Sequence, residues 1–137
     1  MQKYNIKKTI KRAYSGNVSH FFNTKFISET NKEFKFEVIF SEATLNPFGS
    51  VQGGMITSAL DEITSITVNL ISNDKQLPNS IVLHTTFHRP MKPGKAVILA
   101  KIIKWGKNVV SIEGKLFDSN NKIAATIMHS AILTDLK

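Results

Sequence analysis

Hydrophobic and polar residues alternate in the segment Glu33–Phe40, where every second residue is apolar and most positions between are charged. A period of two is typical of a β-strand that buries one face. Four later runs, near residues 80–88, 95–104, 108–117 and 122–134, also read as strands, and turn-forming segments separate them. The pattern predicts one strand and then, after an interruption, a meander of antiparallel strands.

The interruption contains a helical pattern. Between Gly53 and about Ser72 the apolar residues recur every three or four positions, which predicts the only long helix. They are Ile56, Ala59, Leu60, Ile63, Ile66 and Leu70. The only charged residues of this helix are Asp61 and Glu62, whereas an exposed helix normally carries many more. We therefore expect it to be covered on most sides, with Glu62, about 100° around the axis from Asp61, reaching the surface or an ion pair.

Several strand-like runs are apolar on both faces, as in 97–103 and 123–128. One face can cover the helix, and the other needs a further partner, which suggests a second subunit. The order of elements predicts an α+β fold in which an antiparallel sheet wraps around one long central helix. We expect a single domain over residues 1–137, with residues 1–20 forming an N-terminal extension or a short helix.

Composition excludes several classes of protein. The chain has 137 residues, 42% of them hydrophobic, which is enough for one packed domain. It contains no cysteine, so a disulfide framework, a thiolate metal site and a cysteine nucleophile are all excluded. No apolar run resembles a signal peptide or approaches the roughly 18 uncharged residues of a membrane span. We therefore expect a cytoplasmic protein without stable membrane association.

The formal net charge is +8, and six basic residues precede the first acidic residue, Glu29. These are Lys3, Lys7, Lys8, Lys11, Arg12 and Lys25. Such an excess suits an anionic partner, and nucleic acid, an anionic membrane surface and the phosphates of coenzyme A all satisfy that condition. A solvated helix face or a frayed chain end explains the same residues without a partner. Charge alone does not choose among these interpretations.

The candidate chemistry begins where the chain enters the long helix. Gly53 and Gly54 permit close approach to the backbone, and the first N–H groups of a helix have no partner inside it. This arrangement suits an anion or an oxyanion. A tight turn into the helix would explain the same two glycines.

Asp61 is the second candidate, because a carboxylate in an otherwise uncharged, covered helix destabilises the fold unless it is paired or used. Internal hydrogen bonds to Thr57, Ser58 or Ser65 are the alternative role. Eight residues separate Asp61 from Gly53, which is roughly 12 Å along a helix axis and too far for both to act on one carbonyl. In a symmetric dimer with antiparallel helices, Asp61 of one chain can approach Gly53 of the other.

The segment Asn46–Asp61, with Thr86–Pro90 and Gly94 downstream, resembles the hot-dog-fold thioesterases of the phenylacetate-pathway and 4-hydroxybenzoyl-CoA thioesterase superfamily. The resemblance extends from about Phe34 to the chain end. It implies a hot-dog fold and hydrolysis of acyl-CoA or aryl-CoA thioesters by a homo-oligomer, dimer or tetramer. The matching positions are Asn46, Gly49, Gly53, Gly54 and Asp61.

The resemblance also implies roles for these residues. Gly53 would polarise the thioester carbonyl through its N–H, with Gly54 beside it, and Asn46 would hold substrate or water. Asp61 would act as general base or nucleophile, and the hydroxyls of Ser65 and Ser80 would position water. Gln52 stands where many members carry histidine, and an amide can orient a carbonyl but cannot exchange a proton near neutral pH.

Other polar residues are weaker candidates for binding or catalysis. Arg89 and Lys92 flank turns and could contact coenzyme A phosphates, although solubility would explain them equally well. His84 and His88 would share a strand face, but no third ligand is evident, so we predict no metal site and no cofactor. His20 and His129 are expected to be structural or surface residues.

Three functions other than thioester hydrolysis are the alternatives. A non-catalytic hot-dog protein that binds acyl thioesters or serves as an assembly module would also fit, given Gln52. Nucleic-acid binding would need aromatic residues interleaved with lysines on one sheet face, and only Trp105 suggests this, so we predict no nucleic-acid partner. A dehydratase would need an aspartate–histidine pair that spacing does not reveal. The acyl group is not determined by the sequence.

Overall fold

The structure is a computed structural model, and it describes residues 4–136. Three α-helices, six β-strands and a short 3-10 turn at Glu42–Thr44 make up this part of the chain. The helices are α1 (Ile6–Tyr14), α2 (Asn17–Phe21) and α3 (Gly53–Ile71). The strands are β1 (Lys25–Thr30), β2 (Glu33–Phe40), β3 (Gln76–Phe87), β4 (Gly94–Trp105), β5 (Val109–Phe117) and β6 (Ile123–Asp135).

All six strands belong to one antiparallel sheet in the order β1-β2-β4-β5-β6-β3. The inward residues of β2 and the apolar stripe of α3 are buried together, so the sheet encloses the helix on one side. The predicted hot-dog architecture is therefore confirmed, and β2 and the four later strands fall where the residue pattern placed them. The pattern missed β1, because a bulge between Phe26 and Ser28 breaks its alternation.

Gly114 on β5 explains how closely the helix approaches the sheet. A Cβ atom at this position would lie 2.9 Å from Ile127 Cγ2, 3.1 Å from Thr64 Cγ2 and 3.2 Å from Leu60 Cδ2. Thr64 and Leu60 belong to α3, so the absence of a side chain lets the helix rest on the strand. This contact fixes the middle of α3, where Asp61 lies.

Helices α1 and α2 cover the outer side of α3. The guanidinium of Arg12 lies 2.6 Å from a carboxylate oxygen of Asp74, and the Thr9 hydroxyl donates to the other oxygen at 2.9 Å. Asp74 is in the turn after α3, so the two contacts fasten α1 to the end of the long helix. Within residues 4–136, no helix combines the length and hydropathy needed to cross a bilayer.

Strands β1 and β3 are the two edges of the sheet. Most residues of the 12-residue strand β3 are exposed, including Ile81, Val82, Leu83 and Phe87 at 38–53% of their surface. A long apolar edge strand is a ready surface for pairing with another chain. The second subunit suggested by the sequence stays a prediction. The exposed edge of β3 is the surface at which it would bind.

Candidate functional site

Helix α3 starts with two backbone donors that face no internal acceptor. Gln52 is its N-cap, with φ −65° and ψ 136°, and its side-chain oxygen accepts a hydrogen bond from the Met55 N–H at 3.1 Å. The N–H groups of Gly53 and Gly54 have no hydrogen-bond acceptor in the part of the chain that the structure describes. They are therefore free to donate to a ligand oxygen, aided by the positive end of the helix dipole.

The two glycines meet different neighbours. A Cβ on Gly54 would lie 2.8 Å from the capping oxygen of Gln52, so a larger residue here would displace the Gln52 side chain from its capping position. A Cβ on Gly53 would lie 3.2 Å from the ring of Phe87 at the end of β3. Gln52 thus contributes to the site by capping the helix, a role that needs no proton exchange.

The loop before the helix brings a second group of predicted residues to this point. The side-chain oxygen of Asn46 accepts hydrogen bonds from the N–H groups of Phe48 at 2.9 Å and Ser50 at 3.1 Å, which closes the loop on itself. Asn46, Gly53 and Arg89 line one cleft of about 480 Å³. An adjoining cleft of about 320 Å³ is lined by Arg89 and Lys92. Two cationic side chains therefore lie beside the helix start.

Asp61 lies two turns further along α3, outside the lining of both clefts. Its side chain is 39% exposed, more than the sequence suggested. The Ser65 hydroxyl lies 3.4 Å from Asp61 Oδ1, at the long limit for a hydrogen bond. Asp61 is thus only loosely held within its own chain.

A fully buried histidine completes the surroundings of Asp61. His129 Nε2 lies 3.9 Å from Asp61 Oδ1 and 2.8 Å from the Ser80 hydroxyl, and its Nδ1 lies 2.8 Å from the Thr64 hydroxyl. Thr64 donates its hydrogen to the Leu60 carbonyl at 2.8 Å, which leaves the Nδ1–H of a neutral His129 to donate to Thr64. The Nε2 lone pair then faces Ser80 and Asp61.

Burial lowers the pKa of His129, and the nearby Asp61 carboxylate opposes this shift without overcoming it. The neutral imidazole is therefore the stable form at neutral pH, in agreement with the hydrogen bonds. His129 was expected to be a structural or surface residue, and the structure places it in the interior between Thr64 and Ser80. Its inward orientation was readable from the alternation of β6, since Ile127 and Ala131 on either side are also buried.

Glu62 differs from its expected surface position. Its carboxylate is half-buried, and burial raises its pKa; the Ser19 hydroxyl lowers it and the Asp61 charge raises it further. No ion pair of Glu62 is present among residues 4–136. The adjacent acids of α3 thus have distinct surroundings, since Glu62 faces α2 and Asp61 faces His129 and Ser65.

His84 belongs to β3, whereas His88 follows the end of that strand at Phe87, and its Nε2 lies 3.1 Å from the Thr126 hydroxyl. No group of three metal-binding side chains occurs in the described residues.

The site residues form two groups within one chain. Asn46, Gln52, Gly53, Gly54, Arg89 and Lys92 lie around the start of α3, and Asp61, Ser65, Ser80 and His129 lie around its middle. The helix is unbroken between them, so roughly 12 Å separates the free N–H donors from the carboxylate. Within one chain, the structure does not bring the two groups together.

Comparison with known proteins identifies the family. The family model of the thioesterase superfamily matches residues 48–125, more than half of the chain, and the protein belongs to this superfamily. A candidate esterase of Saccharolobus solfataricus is 28% identical over 110 residues, which cover 80% of this chain and 78% of that protein. Membership of this superfamily supports thioester hydrolysis as the general activity.

Two solved structures illustrate the likeness of fold. One is a phenylacetic acid degradation-related protein of Ralstonia eutropha, a candidate thioesterase, with TM-score 0.83, 23% identity and coverage of 90% of this chain and 98% of that one. The other is a hypothetical thioesterase of Streptococcus pneumoniae with bound coenzyme A, with TM-score 0.81, 12% identity and coverage of 93% and 98%.

Proposed function

We propose that this protein hydrolyses acyl-CoA or aryl-CoA thioesters to the free acid and coenzyme A. The observation that carries the proposal is the pairing of free N–H donors at the start of α3 with a partly exposed carboxylate, Asp61, on the same helix. Coenzyme A bound to the S. pneumoniae thioesterase supports the choice of thiol. Arg89 and Lys92, beside the helix start, offer charge for its phosphates.

The chemistry requires a place for negative charge. As water adds to the thioester carbon, the carbonyl oxygen becomes an oxyanion, and the Gly53 N–H can donate to it. Asp61 takes a proton from the attacking water, and the tetrahedral intermediate then collapses with loss of the coenzyme A thiolate. Direct attack by the carboxylate, through an anhydride that water later hydrolyses, would use the same residue.

His129 has a supporting role in this scheme. Its neutral Nε2 accepts from Ser80, which fixes the direction of the Ser80 hydroxyl and leaves that oxygen able to accept a hydrogen bond from water. The same imidazole lies 3.9 Å from Asp61, so it also limits the positions that the Asp61 carboxylate can occupy. We treat His129 as a positioning residue.

We also propose that the working enzyme is a homo-oligomer with its sites between subunits. The exposed apolar edge β3 is the contact surface, and Thr57 and Thr85, hydrogen-bonded at 2.9 Å, tie this strand to α3. A twofold axis at this edge would set the helices antiparallel and bring Asp61 of one chain toward Gly53 of its partner. Each dimer would then contain two equivalent sites.

The decisive experiment is thiol release from a panel of short, medium, long and aromatic acyl-CoAs. Asp61→Asn should lower kcat by about two orders of magnitude or more, whereas the neighbouring Glu62→Gln should retain activity. Turnover unchanged in Asp61→Asn would refute the role of this carboxylate. If the folded natural protein binds acyl-CoA and releases no thiol from any member, the non-catalytic interpretation replaces the proposal.

A further inference from the structure

The N-terminal layer of the molecule combines positive charge with exposed apolar surface. Of the six basic residues before Glu29, Arg12 is engaged by Asp74. Lys7, Lys8, Lys11 and Lys25 are exposed, and none has an ion-pair partner among residues 4–136. Glu37 stands opposite Lys25 in the strand register, but its carboxylate lies 3.9 Å from Lys95.

Three of these lysines surround an apolar groove between α1 and β1. Ile6 and Ile10 of α1 and Phe26 of β1 pack against the core with one side and line this groove of about 610 Å³ with the other. Lys7, Lys11 and Lys25 also line it, and no acidic residue of the described chain does. We call these six residues the N-terminal basic face.

The N-terminal elements α2 and β1 have further exposed apolar side chains. Val18 and Phe21 of α2 are 44% and 46% exposed, and Ile27 of β1 is 46% exposed. Val18 and Phe21 are three residues apart on one short helix and so lie on the same side of it. Apolar side chains set beside unpaired lysines are typical of surfaces that insert shallowly among lipid headgroups.

The position of this face separates it from the proposed catalytic dimer. It lies at the β1 edge of the sheet, whereas the proposed subunit contact uses β3 at the opposite edge. Dimer formation through β3 would therefore leave the basic face of each chain exposed. A dimer presents it twice, which strengthens binding to an extended surface.

We propose that the N-terminal basic face binds reversibly to an anionic lipid bilayer. The lysines supply attraction to negative headgroups, worth about fivefold in affinity per side chain near the surface, and the apolar side chains enter the interface. The interaction is peripheral and needs no membrane-spanning segment. A bilayer suits these features better than nucleic acid, which would leave Val18, Ile27 and the apolar groove without a partner.

Sedimentation with lipid vesicles tests this inference independently of catalysis. The natural protein should bind vesicles of phosphatidylglycerol mixed with phosphatidylcholine, not vesicles of phosphatidylcholine alone, and should dissociate as salt rises from about 0.1 M to about 1 M. The triple variant Lys7→Glu, Lys11→Glu, Lys25→Glu should lose at least about 100-fold in affinity. The matched variant Lys101→Glu, Lys104→Glu, Lys107→Glu carries the same charge change and should still bind.

Two further measurements make the result specific. Phe21→Ser with Ile27→Ser should weaken binding while keeping every lysine, and the triple lysine variant should hydrolyse a short, soluble acyl-CoA as the natural protein does. Equal loss in the matched variant, equal binding to neutral vesicles, or binding of RNA without binding of vesicles would overturn the proposal. Failure of thioester hydrolysis would leave the vesicle result unaffected, so the two proposals can fail separately.

Discussion

The Nε2 atom of His129 lies 3.9 Å from Oδ1 of Asp61, and the imidazole is fully buried while the carboxylate is partly exposed. This relationship joins β6 to the middle of α3 and places a neutral hydrogen-bond acceptor behind the proposed catalytic carboxylate. Ser80, 2.8 Å from the same nitrogen, links β3 to the pair. Three elements thus converge on Asp61, although none of the three residues is close to another in sequence.

Removing the imidazole should impair catalysis through Ser80 and Asp61. We expect His129→Gln to lower kcat about 10- to 100-fold with a smaller effect on KM, since the water and carboxylate would be less well placed. The natural enzyme should lose activity on the acid side below pH 6.5, the ordinary value from which burial lowers the pKa of His129, and the variant should lack this ionisation. His20→Gln, on exposed α2, is the control; an unchanged pH profile in His129→Gln would contradict the assignment.

Glu62 should make the protein less stable at neutral pH than at mildly acidic pH. Its folded-state pKa is raised by burial, so the folded chain binds the proton more tightly than the unfolded chain does. The contribution to stability is therefore present below the ordinary value of 4.5 and is lost as pH rises through the raised pKa. Glu62→Gln should raise Tm by a few degrees, roughly, at pH 7 and leave it nearly unchanged near pH 4.

Thermal unfolding over a pH series measures this effect. Glu42→Gln alters an exposed glutamate in the 3-10 turn and should show no such pH-dependent gain. A destabilised Glu62→Gln at pH 7 would mean that the interaction with Ser19 outweighs the cost of burial.

The proposed oxyanion role of Gly53 can be tested by removing a single hydrogen-bond donor. Proline is tolerated at the first position of a helix, and Gln52 already has the extended conformation that precedes proline. We expect Gly53→Pro to lower kcat by about 10²- to 10³-fold. Gly53→Ala keeps the N–H and adds the same Cβ near Phe87, so it is the matched control and should lose far less. Equal losses in both variants would indicate steric damage.

Gly114 should be intolerant of even one methyl group. Ala at this position would place its Cβ 2.9 Å from Ile127 and 3.1 Å from Thr64, so α3 must shift or the side chains must rearrange. We expect Gly114→Ala to lower the free energy of unfolding by about 1–3 kcal/mol in urea denaturation. Lys115→Ala, one residue along β5 on the other face, should have a much smaller effect.

The sequence predicted most of the fold because its periodicities are strong. Glu33–Phe40 has an apolar residue at every second position, and the apolar residues of α3 form a single stripe. The sequence did not predict β1, because a bulge interrupts the alternation of its residues. The sequence therefore predicts a helix or strand correctly wherever its buried residues recur at regular intervals.

The site was only partly predictable, for a physical reason. Gly53 and Asp61 lie in one helical segment, where composition alone makes them unusual. The partners of Asp61 come from strands far away in sequence, and only the register of β3 and β6 brings Ser80 and His129 to the helix. A local pattern of residues does not show which strands pair or in which register they pair. For this reason no role in the chemistry was predicted for His129.

The proposed division of the site between subunits leads to the most discriminating prediction. If Gly53 of one chain acts with Asp61 of its partner, the inactive variants Gly53→Pro and Asp61→Asn should complement one another. A mixed dimer contains one site with both defects and one intact site, so co-refolding equal amounts should restore about a quarter of the natural activity per chain. Each variant refolded alone should stay inactive, and Ile81→Lys with Val82→Lys, at the β3 edge, should abolish the restoration by preventing association. No recovery from a mixture that demonstrably contains mixed dimers would show that each chain holds a complete site.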